Sequence, residues 1–260
     1  MKQIFYTAIL VLSCQLGVYA QTESETISED KNEEKVEKYQ PFNFNLQVKN
    51  MHLWRGYRVT DAPMTAADVN YLSKNGKFKA GLWGGSGFNG DYHEFDYYVS
   101  YTTGGFNFAI WDINNYSDYP DAKIFNYDIG KTSHFIDVSA AYTFKKIPLK
   151  LSWATIVLGR DFYENDNGEL KNSFSHYVEG SYILTQKENW SLGVYAGFAF
   201  SATSDDDTNF YGPKSGFNNI GVVYNRDLNV FDKITIPVSA TAMWNTIQDY
   251  GAIQVAVNLF

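Results

Sequence analysis

From Pro41 onward the chain carries one dominant pattern, an alternation of apolar and polar residues with a period of two. Phe42, Phe44, Leu46 and Val48 alternate with Asn43, Asn45, Gln47 and Lys49. The same period returns over Phe95–Tyr101, Ile136–Phe144, Trp190–Phe198 and Ile234–Ala242. Successive side chains of an extended strand point to opposite faces, so each run predicts a strand with one apolar and one polar face. The pattern places strands at 42–54, 65–73, 78–85, 92–102, 106–113, 134–144, 149–159, 173–184, 190–200, 217–226, 234–244 and 251–260.

The connections select the architecture. Short turns at 73–76, 102–105, 145–148, 185–189 and 227–233 alternate with longer polar segments at 55–64, 86–91, 114–133, 160–172 and 201–216; the last link, 246–250, is brief. Short turns at one end and longer loops at the other are the mark of a membrane barrel. A soluble β-sandwich shares the period but has no reason to alternate its loop lengths, and a lipocalin-like soluble barrel needs only about eight strands. The expectation is an all-β chain: a transmembrane, antiparallel, up-and-down β-barrel of about twelve strands. An even strand count brings both ends of the barrel to the periplasmic side.

Composition agrees. Mean hydropathy is −0.32, yet the chain holds 20 Tyr, 19 Phe and 6 Trp. No segment beyond the N-terminal apolar run has the roughly 20 apolar residues that a spanning helix needs. A formal charge of −8 argues against a nucleic-acid partner.

The N-terminus reads as an export signal. Lys2 precedes an apolar run from Ile4 to Val18, and Val18-Tyr19-Ala20 offers small residues where a signal peptidase reads, so residues 1–20 are expected to be a signal peptide cleaved after Ala20. Val11-Leu12-Ser13-Cys14 loosely resembles a lipoprotein box, and an acylated Cys14 is the competing reading. Cleavage at Ala20 would remove the single cysteine and with it all thiol chemistry. Residues 21–40 hold seven acidic and three basic residues and almost nothing apolar, which predicts a disordered periplasmic lead-in, with a short charged helix over 29–38 as the alternative. The barrel then occupies 41–260. It ends on Phe260, an aromatic as in exported bacterial barrels, but strict alternation puts Ile253, Val255, Val257 and Leu259 on one face and Phe260 on the other.

Leu53-Trp54-Arg55-Gly56, Thr60-Asp61, Gly76 through Ala80-Gly81-Leu82-Trp83-Gly84, and Glu94-Phe95-Asp96-Tyr97-Tyr98 together resemble the TorF-like family of outer-membrane porins. Its members carry an aromatic-Arg-Gly near the end of the first strand, then a Gly-aromatic-x-x-Gly-x-Trp strand and an acidic, aromatic strand. Asp128-Ile129-Gly130-Lys131 and the Pro148-Leu149 strand look like more distant matches, and about the last hundred residues show none. The resemblance implies an outer-membrane barrel with a transport role.

Nothing in the sequence amounts to an active site. His52, His93, His134 and His176 show no zinc-ligand spacing, and no cofactor is implied. Outer-membrane phospholipases pair serine with histidine on a twelve-stranded barrel, but Ser175 and His176 fall on opposite faces of a strand, with Ser173 close by. Glu94 and Asp96 share a face two residues apart; acid–base work is one reading, carboxylates lining a wet lumen the simpler one. Residues 164–169 resemble a calcium loop without its closing acidic residue, and 205–207 is a run of three aspartates; both are expected as solvated outer loops, with weak divalent bridging to surface polysaccharide as the alternative.

Function is therefore expected in the lumen. With the apolar members facing lipid, the inward set includes Lys49, Arg55, Asp68, Lys79, Glu94, Asp96, Asp137, Lys150 and Glu179, a near balance of charge that predicts no strong ion selectivity. Arg55 is placed at the inward end of the first strand beside Trp54, in an outer aromatic girdle, where it could pair with Asp96 and hold a constriction or anchor the first long loop. Twelve strands about 4.8 Å apart and tilted near 40° give a backbone radius of roughly 12 Å. Many inward residues are small, including Gly81, Ser100, Ser139, Ala141, Ser152, Ser181, Gly193, Gly197 and Ser239, which predicts a narrow water-filled passage for small hydrophilic solutes. The alternative is a non-conducting surface or assembly barrel that acts through its loops, the Tyr- and Asn-rich 114–128 among them. Outer-membrane lipid and, during insertion, the barrel-assembly machinery are the expected partners.

Overall fold

A computed structural model describes residues 39–119, 123–204, 206–230 and 234–260. The expected signal peptide and all but the end of the expected lead-in lie outside the described residues. Sixteen strands form: β1 Phe42–Lys49, β2 His52–Trp54, β3 Tyr57–Thr60, β4 Met64–Leu72, β5 Phe78–Gly87, β6 His93–Thr103, β7 Phe106–Asn114, β8 His134–Thr143, β9 Leu149–Gly159, β10 Phe162–Glu164, β11 Leu170–Asn172, β12 Ser175–Gln186, β13 Trp190–Ser201, β14 Gly216–Val230, β15 Ile234–Asn245 and β16 Tyr250–Asn258. Twelve of them close into an antiparallel barrel in the order β1-β16-β15-β14-β13-β12-β9-β8-β7-β6-β5-β4, as the alternation predicts. Every wall strand pairs with its sequence neighbour in the wall. The ring closes where Gln47, Val48 and Lys49 of β1 meet Asn258, Val257 and Ala256 of β16.

The outward face is an apolar belt. Phe44, Val69, Leu82, Val99, Ile110, Leu151, Val178, Val222 and Ile253 are 40–61 % exposed, and each sits at an alternate strand position. Left in water, so continuous a surface would cost about 25 cal/mol per Å². With its strands hydrogen-bonded around a closed ring, it is the surface of a barrel embedded in lipid. Phe260 joins this belt against Phe44, contrary to the strict alternation, because β16 ends at Asn258 and the last two residues leave its phase.

Four strands lie outside the wall. The predicted first strand, 42–54, is two elements: β1 stops at Lys49 and β2 turns back as a hairpin with β3. The expected loop 160–172 contains a second hairpin, β10–β11, whose turn is the supposed calcium loop; Asn165 Oδ1 accepts from Asn167 N and Glu169 N, and Glu169 pairs with Lys171.

Candidate functional site

The lumen has two levels. At the short-turn end its walls are polar: Asn43, Asn45, Ser139, Lys150 and Ser239 face inward from alternate positions. At the long-loop end it is packed with aromatic and aliphatic side chains. Trp54, Met64, Trp83, Tyr98, Trp111, Phe135, Ile156, Tyr177 and Tyr211 form a buried cluster inside the barrel. Large apolar side chains there stand on the inward as well as the outward face, as in a sheet covered on both sides.

The cover is the β2–β3 hairpin. A two-stranded hairpin leaves backbone groups unpaired, and buried ones must find partners elsewhere. The wall provides them. Asn218 Nδ2 donates to the Arg55 carbonyl at 2.6 Å, Asn245 Nδ2 and the Tyr250 hydroxyl donate to the Gly56 carbonyl at 3.0 and 2.8 Å, and Leu53 N donates to Gln254 Oε1 at 2.9 Å. Asn218 reaches inward because a bulge in β14, where Gly197 pairs with Asn219 but Phe198 with Phe217, adds one residue to the wall.

Arg55 is the centre of this docking. Its Nη1 and Nη2 donate to Asp137 Oδ2 and Oδ1 at 2.5 and 2.8 Å, a bidentate pair, and Nη1 also donates to the Tyr211 hydroxyl at 2.9 Å. Its guanidinium lies 4.6 Å from the Trp54 ring centre. Arg55 and Gly56 form the hairpin turn with φ of 47° and 79°. A Cβ on Gly56 would lie 2.7 Å from Asn218 Nδ2, so this position has no room for a side chain. The aromatic-Arg-Gly sequence thus has a local cause: ring to pack, fork to pair, glycine to turn.

Three expectations are corrected here. Arg55 does not end a wall strand but sits at the tip of an inserted hairpin. Trp54 is 5 % exposed within the lumen, not in the girdle, where Trp153 and Trp244 stand instead. The partner of Arg55 is Asp137 of β8, two strands along the wall from the expected Asp96 of β6.

The other expected residues all face inward but divide between the two levels. Lys49, Glu94, Asp96 and Asp137 are buried near the long-loop ends of their strands. Lys49 Nζ lies 3.2 Å from His52 Nδ1, and Asp96 Oδ1 accepts from Asn114 N at 3.0 Å. Glu94, His52, Asn115 and Arg160 border a gap of about 30 Å³ under the hairpin, the size of one or two waters. Lower down, Asp68 accepts from the Tyr98 hydroxyl at 2.9 Å with Lys79 in electrostatic reach, and Glu179 accepts from Tyr177 with Lys150 in reach. Small inward residues do not all leave free space. The rings of Tyr98 and Tyr177 lie over Gly81 and Gly197, within 2.6 and 2.3 Å of where a Cβ would be.

Sequence reasoning missed the Phe210–Tyr211 segment, which enters the lumen from the loop after β13 and packs on Trp54. A polar loop holding two adjacent aromatics was the available signal. The segment is tied down at Asp161, whose carboxylate accepts from Ser175 N and Ser175 Oγ, each at 2.7 Å, while that hydroxyl accepts from Phe210 N at 2.8 Å. Burial pushes the Asp161 carboxyl up to about 6. Ser175 therefore faces inward and His176 outward, stacked between Trp153 and Phe200, and the two do not form a catalytic pair.

Belt and lumen together define a membrane-spanning β-barrel with its long-loop mouth occupied by a hairpin of its own chain. Among solved structures it is similar to a NanC porin, 9 % identical, with 83 % of this chain and 98 % of that one covered at a TM-score of 0.49. It is also similar to a triple mutant of the Rhodopseudomonas blastica porin, 12 % identical, with 75 % and 54 % covered at 0.37. No family model and no curated protein matches the sequence.

Proposed function

We propose that the protein is an outer-membrane channel for passive diffusion of small hydrophilic solutes, with its outer mouth closed by the β2–β3 hairpin. The observation that carries this reading is the docking of a turn, by side-chain hydrogen bonds, above a lumen whose short-turn end is polar. The Arg55–Asp137 pair at the tip of the hairpin is a contact that a competing ion or solute group can replace, and its loss would leave the tip held by neutral hydrogen bonds and ring packing. Below the hairpin, amides, hydroxyls and the Asp68, Lys79, Lys150 and Glu179 charges line a neutral vestibule suited to uncharged or zwitterionic solutes. The resemblance to the TorF-like porins at Trp54-Arg55-Gly56 supports the same reading, because in this chain those residues build the plug.

Planar-bilayer recordings on refolded protein test it. Wild type should conduct in rare, small events, and Arg55→Ala should raise open probability and conductance while heat-modifiable gel mobility stays normal. Removing one member of a buried pair costs about 3–5 kcal/mol, here charged against hairpin docking. Protease should therefore cut 50–63 faster in Arg55→Ala than in wild type. The aromatic packing of Trp54 on Phe135, Phe210 and Tyr211 favours a second reading, a non-conducting surface barrel. Silence in both proteins would establish that one and end the channel proposal.

A further inference from the structure

The outward face carries a buried carboxylate among polar side chains at Asp112. Asp112 of β7 lies on the same face as Phe108 and Ile110, directly across from outward-facing Tyr97 of β6. The next outward pair toward the membrane is Val99 and Ile110, 42 % and 50 % exposed. Asp112 is therefore one pleat from bare lipid-facing surface, where an ionised carboxylate is expensive. It is nevertheless buried, because Tyr127 and His134 close over it on the outside of the wall. Tyr127 donates to Asp112 Oδ2 at 2.6 Å and meets the Tyr97 hydroxyl, and His134 Nδ1 lies 2.6 Å from Asp112 Oδ1. The segment closes on itself through Thr132 Oγ1 to the Asn126 carbonyl at 2.5 Å, and Ser133 Oγ donates to Asn114 Oδ1 at 2.5 Å.

The other side of this segment is apolar. Ile124, Phe125 and Ile129 are 45 %, 82 % and 36 % exposed. Leu170 of the β10–β11 hairpin meets it at Gly130 and is exposed too. A loop standing in water has no use for a bare phenylalanine between two isoleucines. A loop held against the wall beside the apolar belt continues that belt, and Lys123 and Lys131 at its two ends can reach lipid headgroups.

We propose that residues 123–133 form a membrane-contacting strap, seated in the lipid of the leaflet on the long-loop side, with Asp112, His134, Tyr127 and Tyr97 as its anchor. The occupant of its apolar side is lipid, not a soluble partner. The carboxylate is not exposed to hydrocarbon because the strap covers it, and the strap stays on the wall because the carboxylate binds it. This holds whether or not the lumen conducts.

Spin labels decide the matter. Phe125→Cys, Ile110→Cys and Asn167→Cys are made in a chain whose single native cysteine is replaced (Cys14→Ser), labelled, and reconstituted in phospholipid bilayers. Label collision with oxygen, which partitions into lipid, is compared with collision with a water-soluble nickel chelate. The Phe125 label should show the lipid-like ratio of the Ile110 label, severalfold above that of the Asn167 label. Adding Tyr127→Phe and Asp112→Asn should shift the Phe125 label toward the water ratio and leave the Ile110 label unchanged. A water-like ratio at Phe125 in the otherwise native strap would overturn the proposal, whatever the anchor variants do.

Discussion

Glycines stand directly across from tyrosines at two places in the wall, Gly81 from Tyr98 and Gly221 from Tyr195. In each pair the ring lies over the glycine, 2.6 and 2.5 Å from where a Cβ would be. The glycine lets a large side chain lie flat along the inner wall; Tyr98 then stacks on Trp111 at 4.0 Å. Gly81→Ala should destabilise the barrel by about 1–3 kcal/mol through overpacking. In a Tyr98→Ala background the same change should cost almost nothing, because the clash has gone. Urea unfolding followed by gel mobility measures both, and equal costs in the two backgrounds would disprove the stacking argument.

The element that departs furthest from a plain barrel is the β2–β3 hairpin together with the Phe210–Tyr211 segment beside it. Both enter from the long-loop end, and the second depends on Asp161. That carboxyl titrates near 6 in the folded protein against an ordinary 3.8, so the folded state holds its proton more tightly than the unfolded one. Its contribution to stability is complete below the lower value and is lost as pH rises through the upper one. The thermal midpoint of the gel-mobility shift should accordingly fall between about pH 4 and pH 6 in wild type. Asp161→Asn should flatten that slope, and an unchanged slope in the variant would assign the effect to another group.

On the scale of the whole molecule, twelve strands and a closed ring place every long connection on one side. Epitope tags within 160–172 or 201–216 should be reachable on intact cells, and tags at Asn75 or Lys145 should not. The protein should fractionate with outer membranes. Labelling at Lys145 on intact cells would show that the barrel is inserted the other way up.

Period two, turn chemistry and the alternation of loop lengths were enough to predict the strands of the wall, their antiparallel order and their inward and outward faces, because those depend only on neighbours along the chain and on the pleat. Each of the charged strand residues singled out from the sequence does face inward for that reason. What fills the lumen was not legible. The apolar positions of β1 slip from even to odd at Asn50-Met51, but a slip of phase does not say where the chain goes next; the asparagines, tyrosine and aspartate waiting in β14, β15, β16 and β8 make an inward hairpin cheaper than a longer strand. The bulge that aims Asn218, the rings laid over Gly81 and Gly197, and the strap that covers Asp112 likewise depend on residues far apart in sequence. A local pattern determines which way a side chain points; whether it meets water, lipid or another side chain was decided only when the ring closed.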